Sequence, residues 1–284
     1  MFRLSRSRWI ILSVATVLAL GFGIVGRVFG PHRLRFPYLN GTLAPADYQA
    51  LASQPGWAAR QIGVAPGIRL NGLVRRPQAA DAPWLLFYQG NDAQMLKVGQ
   101  AFLSRLSGAR DWGLAIFAYR GYDSSDGVPR LPALAADAPE ILAQLCATER
   151  VDRGRVHLLG FSIGGHIAVR AMASAARLSP RPPTLTLLAS VDDITMVKRS
   201  FYHKLDPGDD FHTSPLLVDI PAPVLVVQGT EDVALHGPAQ GRAIAAALGA
   251  RARYLELPGV GHIELMENEP TLAAVREFIE THSK

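Results

Sequence analysis

A serine between two glycines is the first residue whose setting suggests chemistry. Residues 160–164 read Gly-Phe-Ser-Ile-Gly and follow the apolar run 156–159. In this pattern the serine occupies a strained turn between a strand and a helix, which exposes its hydroxyl to a substrate. The glycines are needed because a Cβ would clash where strand and helix approach each other. So short a pattern also arises by chance, so Ser162 is a candidate nucleophile that needs further support.

A serine hydroxyl becomes a good nucleophile only when a neighbouring base removes its proton. His262 follows the predicted strand 252–257 and a glycine-containing turn, and Asp232 follows the predicted strand 223–227 in the same way. Both side chains are therefore expected at the strand ends where Ser162 lies, in the chain order serine, acid, histidine. An aspartate bound to the imidazole would hold its tautomer and stabilise the imidazolium formed during attack. Alternatives for the acid are Glu231, Asp192 and Asp193.

Two further histidines belong to predicted elements of structure. His157 lies inside a predicted strand, and His166 lies on the predicted helix after Ser162. We expect structural roles for both, because neither follows a strand end that would direct it at the serine.

The elements that must position these residues alternate between strands and helices. Apolar strands of four to eight residues separated by amphipathic helices predict a mostly parallel sheet with helices on both faces. We expect about eight strands, with an antiparallel hairpin first and α/β units after it. The predicted strands are 61–64, 68–74, 84–88, 113–119, 156–161, 184–188, 223–227 and 252–257. The predicted helices are 94–106, 132–148, 163–177, 238–248 and 271–282.

Composition excludes several classes of protein. The chain has 284 residues, of which 49% are hydrophobic and 19% charged, enough for one large domain. Its single cysteine, Cys146, excludes an intrachain disulfide framework and a cysteine-cluster metal site. The net charge of +5 is dispersed along the chain without basic and aromatic residues interleaved, which argues against nucleic-acid binding. We expect no cofactor and no metal.

The N-terminus carries an apolar run behind a basic tail. Arg3, Arg6 and Arg8 precede residues 9–26, which contain no charged residue. The length of this run predicts a single membrane-spanning signal anchor over residues 1–30, in preference to a cleaved signal peptide. A short basic tail usually stays in the cytoplasm, so the domain is expected on the extracytoplasmic side. Residues 31–55 then connect the anchor to a domain that spans residues 56–284.

The sequence resembles the α/β-hydrolase superfamily over residues 61–278. Gly-Thr-Glu-Asp at residues 229–232 and Gly-Val-Gly-His at residues 259–262 match the acid and histidine loops of that family. Two further segments resemble a membrane-anchored abhydrolase-domain branch marked by HGN and YRGYGxSxG. They are Gln-Gly-Asn at residues 89–91 and Tyr-Arg-Gly-Tyr-Asp-Ser-Ser-Asp-Gly at residues 119–127.

The resemblance implies roles for residues around the serine. A tetrahedral oxyanion needs preorganised donors, and the family pattern implies the backbone N–H groups of Ile163 and Asn91. Gln89 stands where the family has histidine, which leaves the catalytic residues in place but changes the loop. Arg120 is expected to organise the neighbouring loop, with a solvated charge as the alternative. A short cap is expected at about residues 190–219.

These inferences predict a serine hydrolase that forms an acyl-enzyme. Ser162 would attack the carbonyl of a small-molecule or lipid-like acyl substrate, which is an ester, a thioester or an amide. His262 would move the proton and Asp232 would orient His262. Two alternatives stay open: a non-catalytic binding protein with the same fold, and an acyltransferase that uses the same triad.

Overall fold

The computed structural model describes residues 43–92, 94–197, 211–233 and 235–283. Within them the chain forms one eight-stranded sheet with the strand order β1-β2-β4-β3-β5-β6-β7-β8. The strands are β1 Trp57–Ala65, β2 Ile68–Arg75, β3 Trp84–Tyr88, β4 Gly113–Phe117, β5 Val156–Phe161, β6 Leu185–Leu188, β7 Val224–Gly229 and β8 Ala252–Leu257.

The strands on the β1 side of the sheet pair antiparallel, and the other strands pair parallel. Strand β2 pairs antiparallel with both β1 and β4, and every other neighbouring pair is parallel. Strands β3, β5, β6 and β7 are buried along their whole length, because apolar side chains cover both of their faces. The predicted eight-stranded, mostly parallel sheet is confirmed.

Seven α-helices flank the sheet within the described residues, in two groups. Helices α1, α2 and α7 pack in one group, and α3 to α6 pack in the other. A sheet with helices on both faces hides its apolar strands completely. The helices are α1 Pro45–Ala52, α2 Met95–Ser107, α3 Leu131–Glu149, α4 Ile163–Ala175, α5 Ser214–Leu217, α6 Gly237–Leu248 and α7 Glu269–His282.

Helix α1 lies in the stretch that the sequence assigns to a connecting segment. Among its residues only Leu51 is buried, so the helix carries no amphipathic pattern that could reveal it. Leu43, just before it, is also buried, and its N–H donates to the Asp123 carboxylate at 3.0 Å. The folded region therefore includes at least Leu43 and α1.

The predicted anchor, residues 1–30, lies outside the described residues, as do residues 31–42 of the connecting segment. None of the helices that the structure describes combines the length and the apolar character needed to cross a membrane. Residues 198–210 of the predicted cap also lie outside the described residues. The described parts of the cap hold a short 3₁₀ turn at Ile194–Met196 and helix α5.

The strand order fixes one place on the sheet where loops diverge. Connections run from β3 to β4 in one direction along the sheet and then from β4 to β5 in the other. The loops after β3 and β5 therefore separate at their carboxyl ends and leave a crevice, which is where open α/β sheets bind ligands.

Candidate active site

Ser162 occupies a sharp turn between β5 and α4. Its backbone angles are φ 56° and ψ −125°, in the positive-φ region that residues other than glycine rarely adopt. A Cβ at Gly160 would lie 2.6 Å from the carbonyl oxygen of Gly164 and from the Cα of Gly165. At Gly164 a Cβ would overlap the carbonyl oxygen of Tyr88 on β3. Only glycine permits this approach, so the sequence pattern and the backbone geometry have the same cause.

The structure brings Asp232 and His262 together. Nδ1 of His262 lies 2.8 Å from Oδ2 of Asp232, which is 1% exposed. With this carboxylate as acceptor, Nδ1 carries the proton and Nε2 of the neutral imidazole is left to accept one. Gln228, the last residue but one of β7, donates its amide N–H to the same carboxylate oxygen at 3.0 Å.

His262 lies beside the turn that carries Ser162. Its ring centroid is 4.8 Å from that of Phe161, the residue before Ser162. No hydrogen bond joins Ser162 to His262 in the described part of the chain. Without bound substrate such a bond is often long and tightens only in the reactive complex. The imidazole therefore lies beside the turn that carries Ser162, at the carboxyl ends of β5 and β8.

Two of the alternative acids, Asp192 and Asp193, bind other groups. Asp192 accepts hydrogen bonds from the N–H and hydroxyl of Ser214, at 2.7 and 2.5 Å. Asp193 accepts from the N–H and hydroxyl of Thr195, at 2.8 and 2.6 Å. Both carboxylates stabilise turns of the cap region. Of the acids considered in the sequence, Asp232 is the one bonded to His262.

The loop after β3 lies against the serine. A Cβ at Gly90 would come within 3.1 Å of the Ser162 Cβ, which shows how closely this loop approaches the turn. The next residue, Asn91, accepts a hydrogen bond from the Tyr122 hydroxyl on its side-chain oxygen at 2.6 Å. Ile163 is the first residue of α4, where N–H groups have no partner within the helix and the helix dipole favours negative charge.

Gln89 is buried in this loop. Its carbonyl oxygen accepts a hydrogen bond from the Tyr119 hydroxyl at 2.8 Å. Its side-chain oxygen has no hydrogen-bond partner among the described residues. Arg120 makes a bidentate ion pair with the buried Asp137 of α3, with both N···O distances 2.5 Å. This pair attaches the loop after β4 to α3.

Three residues near the site were missed in the sequence. Gln228 is the one polar side chain within the apolar run of β7, which was the available signal. Asp137 is the acid that pairs with Arg120, and it lies on an otherwise apolar helical face, which was also a signal. Asp123 follows Tyr122 and is buried, although nothing in the local sequence indicates burial.

His157 and His166 have structural roles in the fold. Nδ1 of His157 lies 2.7 Å from the Thr184 hydroxyl, and Nδ1 of His166 lies 3.0 Å from the Thr213 hydroxyl. Burial lowers the pKa of each to about 3, so both are neutral at ordinary pH. His166 also stacks on Phe211 and thereby joins α4 to the cap region.

A second apolar cluster, separate from the main core, lies beside the turn that carries Ser162. Its members come from the start of α3, the start of α4 and the loops after β6 and β7. They are Leu131, Ile163, Val191, Ile194, Val197, Phe211 and Leu235. The surroundings of Ser162 are therefore apolar on the side of the cap.

No family model matches the sequence. An uncharacterized protein of Mycobacterium tuberculosis is 27% identical over 276 residues, which cover 94% of this chain and 93% of that protein. An α/β hydrolase domain-containing protein of Arabidopsis thaliana is 28% identical over 105 residues, which cover 36% of this chain and 33% of that protein.

Among solved structures, an esterase from Pyrococcus furiosus superposes with a TM-score of 0.66 at 13% sequence identity. The match covers 88% of this chain and 98% of the esterase. At so low an identity a likeness shows the fold, while activity depends on the residues of the site. The chain therefore has the α/β-hydrolase fold.

Proposed function

We propose that this protein is a serine hydrolase that cleaves an acyl ester, thioester or amide through an acyl-enzyme. The observation that carries the proposal is the meeting of Ser162 at positive φ with the Asp232–His262 pair at one edge of the sheet. A strained turn of this kind directs a serine hydroxyl at a substrate; Ser162 is 5% exposed, and the paired imidazole would supply the base that a serine needs.

The proposed reaction has two halves. In the first, the Ser162 oxygen bonds to the carbonyl carbon while its proton passes to Nε2 of His262. The oxyanion accepts hydrogen bonds from the backbone N–H groups of Ile163 and Asn91. Its collapse expels the leaving group, which takes the proton from His262. In the second half, water gives a proton to His262 and attacks the acyl carbon. The bond from that carbon to the Ser162 oxygen then breaks, His262 returns the proton to this oxygen, and the acid leaves.

The substrate class in this proposal is a lipid-like or other apolar acyl group, supported by the apolar character of the buried cluster next to Ser162. Membrane tethering through residues 1–30 is part of the proposal, with the domain on the extracytoplasmic side. Its support is the uncharged run at residues 9–26 and the position of Leu43, which is bonded to Asp123 after β4. The chain thus enters the fold at the same edge as Ser162.

A fluorophosphonate probe tests the nucleophile directly. We expect the native protein to be labelled and Ser162→Ala to lose the label. Ser190→Ala is the matched control, because Ser190 is a buried serine just beyond the carboxyl end of the next strand, β6. An unlabelled native protein, or equal labelling of Ser162→Ala, contradicts the proposal.

Product analysis tests the reaction. Esters of increasing acyl length, with thioester and amide analogues, should give the free acid in the absence of added alcohol or amine. Acyl transfer to an added acceptor at the expense of hydrolysis would identify an acyltransferase. A labelled Ser162 with no turnover of any acyl substrate would favour the non-catalytic alternative.

A further inference from the structure

The loop after β4 contacts the loop that carries Asn91 at two points and the start of α2 at a third. We name residues 119–127 the tyrosine loop and residues 89–92 the oxyanion loop. The Tyr119 hydroxyl donates to the Gln89 carbonyl oxygen at 2.8 Å, and the Tyr122 hydroxyl donates to the Asn91 side-chain oxygen at 2.6 Å. Beyond the oxyanion loop, the Leu96 N–H donates to Oδ2 of Asp123 at 2.8 Å. The tyrosine loop therefore holds both ends of the segment that leads from β3 into α2.

The Asp123 carboxylate caps the N-terminus of α2, although it belongs to another part of the chain. The residue before the helix, Gln94, makes no capping hydrogen bond with its side chain, and the Asp123 carboxylate takes that place. A carboxylate at a helix N-terminus is favoured both by the free N–H groups and by the helix dipole. Its other oxygen accepts the Leu43 N–H, so one buried carboxylate joins three segments of the chain.

Asp123 departs from the family pattern that its loop resembles. In YRGYGxSxG the fifth residue is glycine, and here it is aspartate with φ 43°, a backbone conformation that costs little only for glycine. Burial raises the pKa of its carboxyl group, which is a further cost of keeping a charge there. Two unfavourable features at one position require a compensating role, and the two N–H bonds supply it.

The tyrosine loop is itself fixed to the sheet and to α3. On one side, Asn71 of β2 donates its backbone N–H to the Ser125 hydroxyl at 2.9 Å and its side-chain amide to the Asp123 carbonyl oxygen at 3.2 Å. On the other side, the Arg120–Asp137 pair joins the loop to α3. A loop anchored on both sides can set the position of its neighbour.

We infer that Tyr122 and Asp123 are positioning residues that hold the Asn91 N–H in place for the oxyanion. The inference rests on the proposed function. A donor of this kind must lie about 2.7–3.1 Å from the developing charge, and removing one such donor costs about 10²–10³-fold in kcat. Tyr122 fixes the side chain of Asn91, and Asp123 fixes the helix that follows the oxyanion loop. Loss of either contact frees the loop without removing a group that touches substrate.

The experiment compares Tyr122→Phe and Asp123→Asn with the native protein on a soluble short-chain ester. The first change removes one hydroxyl. The second replaces one of the two acceptor oxygens by an amide NH2 group, which cannot accept an N–H. We expect kcat to fall about 10- to 100-fold and KM to change by less than about threefold, because a displaced donor weakens transition-state binding more than substrate binding. Affinity for a boronic acid, which mimics the tetrahedral state, should fall by the same factor as kcat/KM.

Tyr48→Phe is the matched control. The Tyr48 hydroxyl donates to the carbonyl oxygens of Arg60 and Gly72, away from the site, so its loss should leave kcat within about twofold. Thermal melting establishes that each variant is folded. If Asp123→Asn does not fold, Asp123→Gly restores the residue of the family pattern and removes the same carboxylate.

Two failures can be told apart. A native protein that the fluorophosphonate does not label at Ser162 overturns the proposed function, and the inference falls with it. A native protein that is labelled and active, with folded Tyr122 and Asp123 variants whose kcat and boronate affinity stay within twofold, overturns the inference alone. An equal loss in Tyr48→Phe also overturns it, because the effect would then be general.

Discussion

Asp232 is a buried carboxylate whose partners share one oxygen. Oδ2 lies within hydrogen-bond distance of both His262 and Gln228, whereas Oδ1 has no hydrogen-bond partner among the described residues. A buried charge needs donors, and each bond to a charged group contributes about 1.5–3 kcal/mol. Gln228 therefore supports the orientation that allows Asp232 to align His262.

Gln228→Leu tests this support. Leucine has a similar volume and removes the donor to Asp232, together with a side-chain oxygen that is itself buried without a partner in the described region. We expect kcat to fall about tenfold, because a less firmly held Asp232 aligns His262 less well. The free energy of unfolding should change by less than about 1 kcal/mol, because an unsatisfied oxygen disappears along with the bond. Ester hydrolysis and urea unfolding measure the two quantities.

Gln100→Leu provides the comparison. Gln100 is another buried glutamine that donates one hydrogen bond, to the Leu51 carbonyl oxygen at 2.9 Å, far from the triad. This variant should lose about 1 kcal/mol of stability and keep its activity. If Gln228→Leu behaves in the same way, the amide of Gln228 has no part in positioning Asp232.

At the scale of elements, the turn at residues 160–164 depends on contact between α4 and the ends of β3 and β5. Gly164→Ala should destabilise the protein by at least about 3 kcal/mol, because the new Cβ would overlap the Tyr88 carbonyl oxygen and backbone cannot yield as a side chain does. Urea unfolding measures the change.

Gly63→Ala in β1 is the reference for the same substitution, because a Cβ at that position has no atom within 4 Å. It should change stability by less than about 1 kcal/mol. Similar effects for the two variants would show that the close packing of α4 on β3 does not require glycine.

Elements with a strong local pattern were predictable, and the others were not. Strands β3, β5 and β8 begin and end as predicted, because each apolar run is bounded by a turn. Strand β1 begins at Trp57, four residues before the prediction, because residues on this edge strand are only partly buried and the apolar signal is weak. The Asp232–His262 pair followed from strand ends. The contacts of Asp123 did not, because they depend on three segments that meet only in the folded chain.

At the scale of the whole molecule, the carboxyl ends of the parallel strands collect Ser162, the Asp232–His262 pair, the entry of the chain and several exposed apolar side chains. Leu43 enters beside the tyrosine loop, and Ser162, Asp232 and His262 follow β5, β7 and β8. Exposed apolar side chains on loops at this edge are Val128, Met196, Val233 and Ile263. Two others lie at the opposite edge. Leu178 precedes β6, and the Val218 carbonyl oxygen accepts a hydrogen bond from Arg251, which directly precedes β8.

This asymmetry leads to a prediction about lipid-like substrates. Val233 and Ile263 are 62% and 55% exposed beside the Asp232–His262 pair. If the strand ends that carry Ser162 face a bilayer, these two side chains should contact it. Combined substitution Val233→Ser and Ile263→Ser removes apolar contact of about 1–2 kcal/mol, or about tenfold in binding. We therefore expect the ratio of turnover on a long-chain ester in vesicles to turnover on a soluble short-chain ester to fall about tenfold. The ratio separates contact with the bilayer from any effect on the neighbouring triad.

The opposite edge supplies an equivalent pair of exposed residues. Leu178→Ser combined with Val218→Ser removes a similar apolar area, but at the edge away from Ser162, so the same ratio should stay within about twofold of the native value. An equal fall of the ratio in both pairs would mean that the effect depends on exposed apolar area and not on where that area lies. An unchanged ratio in both, with the native protein active on soluble ester, would mean that the enzyme takes its substrate from water. Only a loss confined to the first pair shows that the edge carrying the triad is the one that meets the lipid.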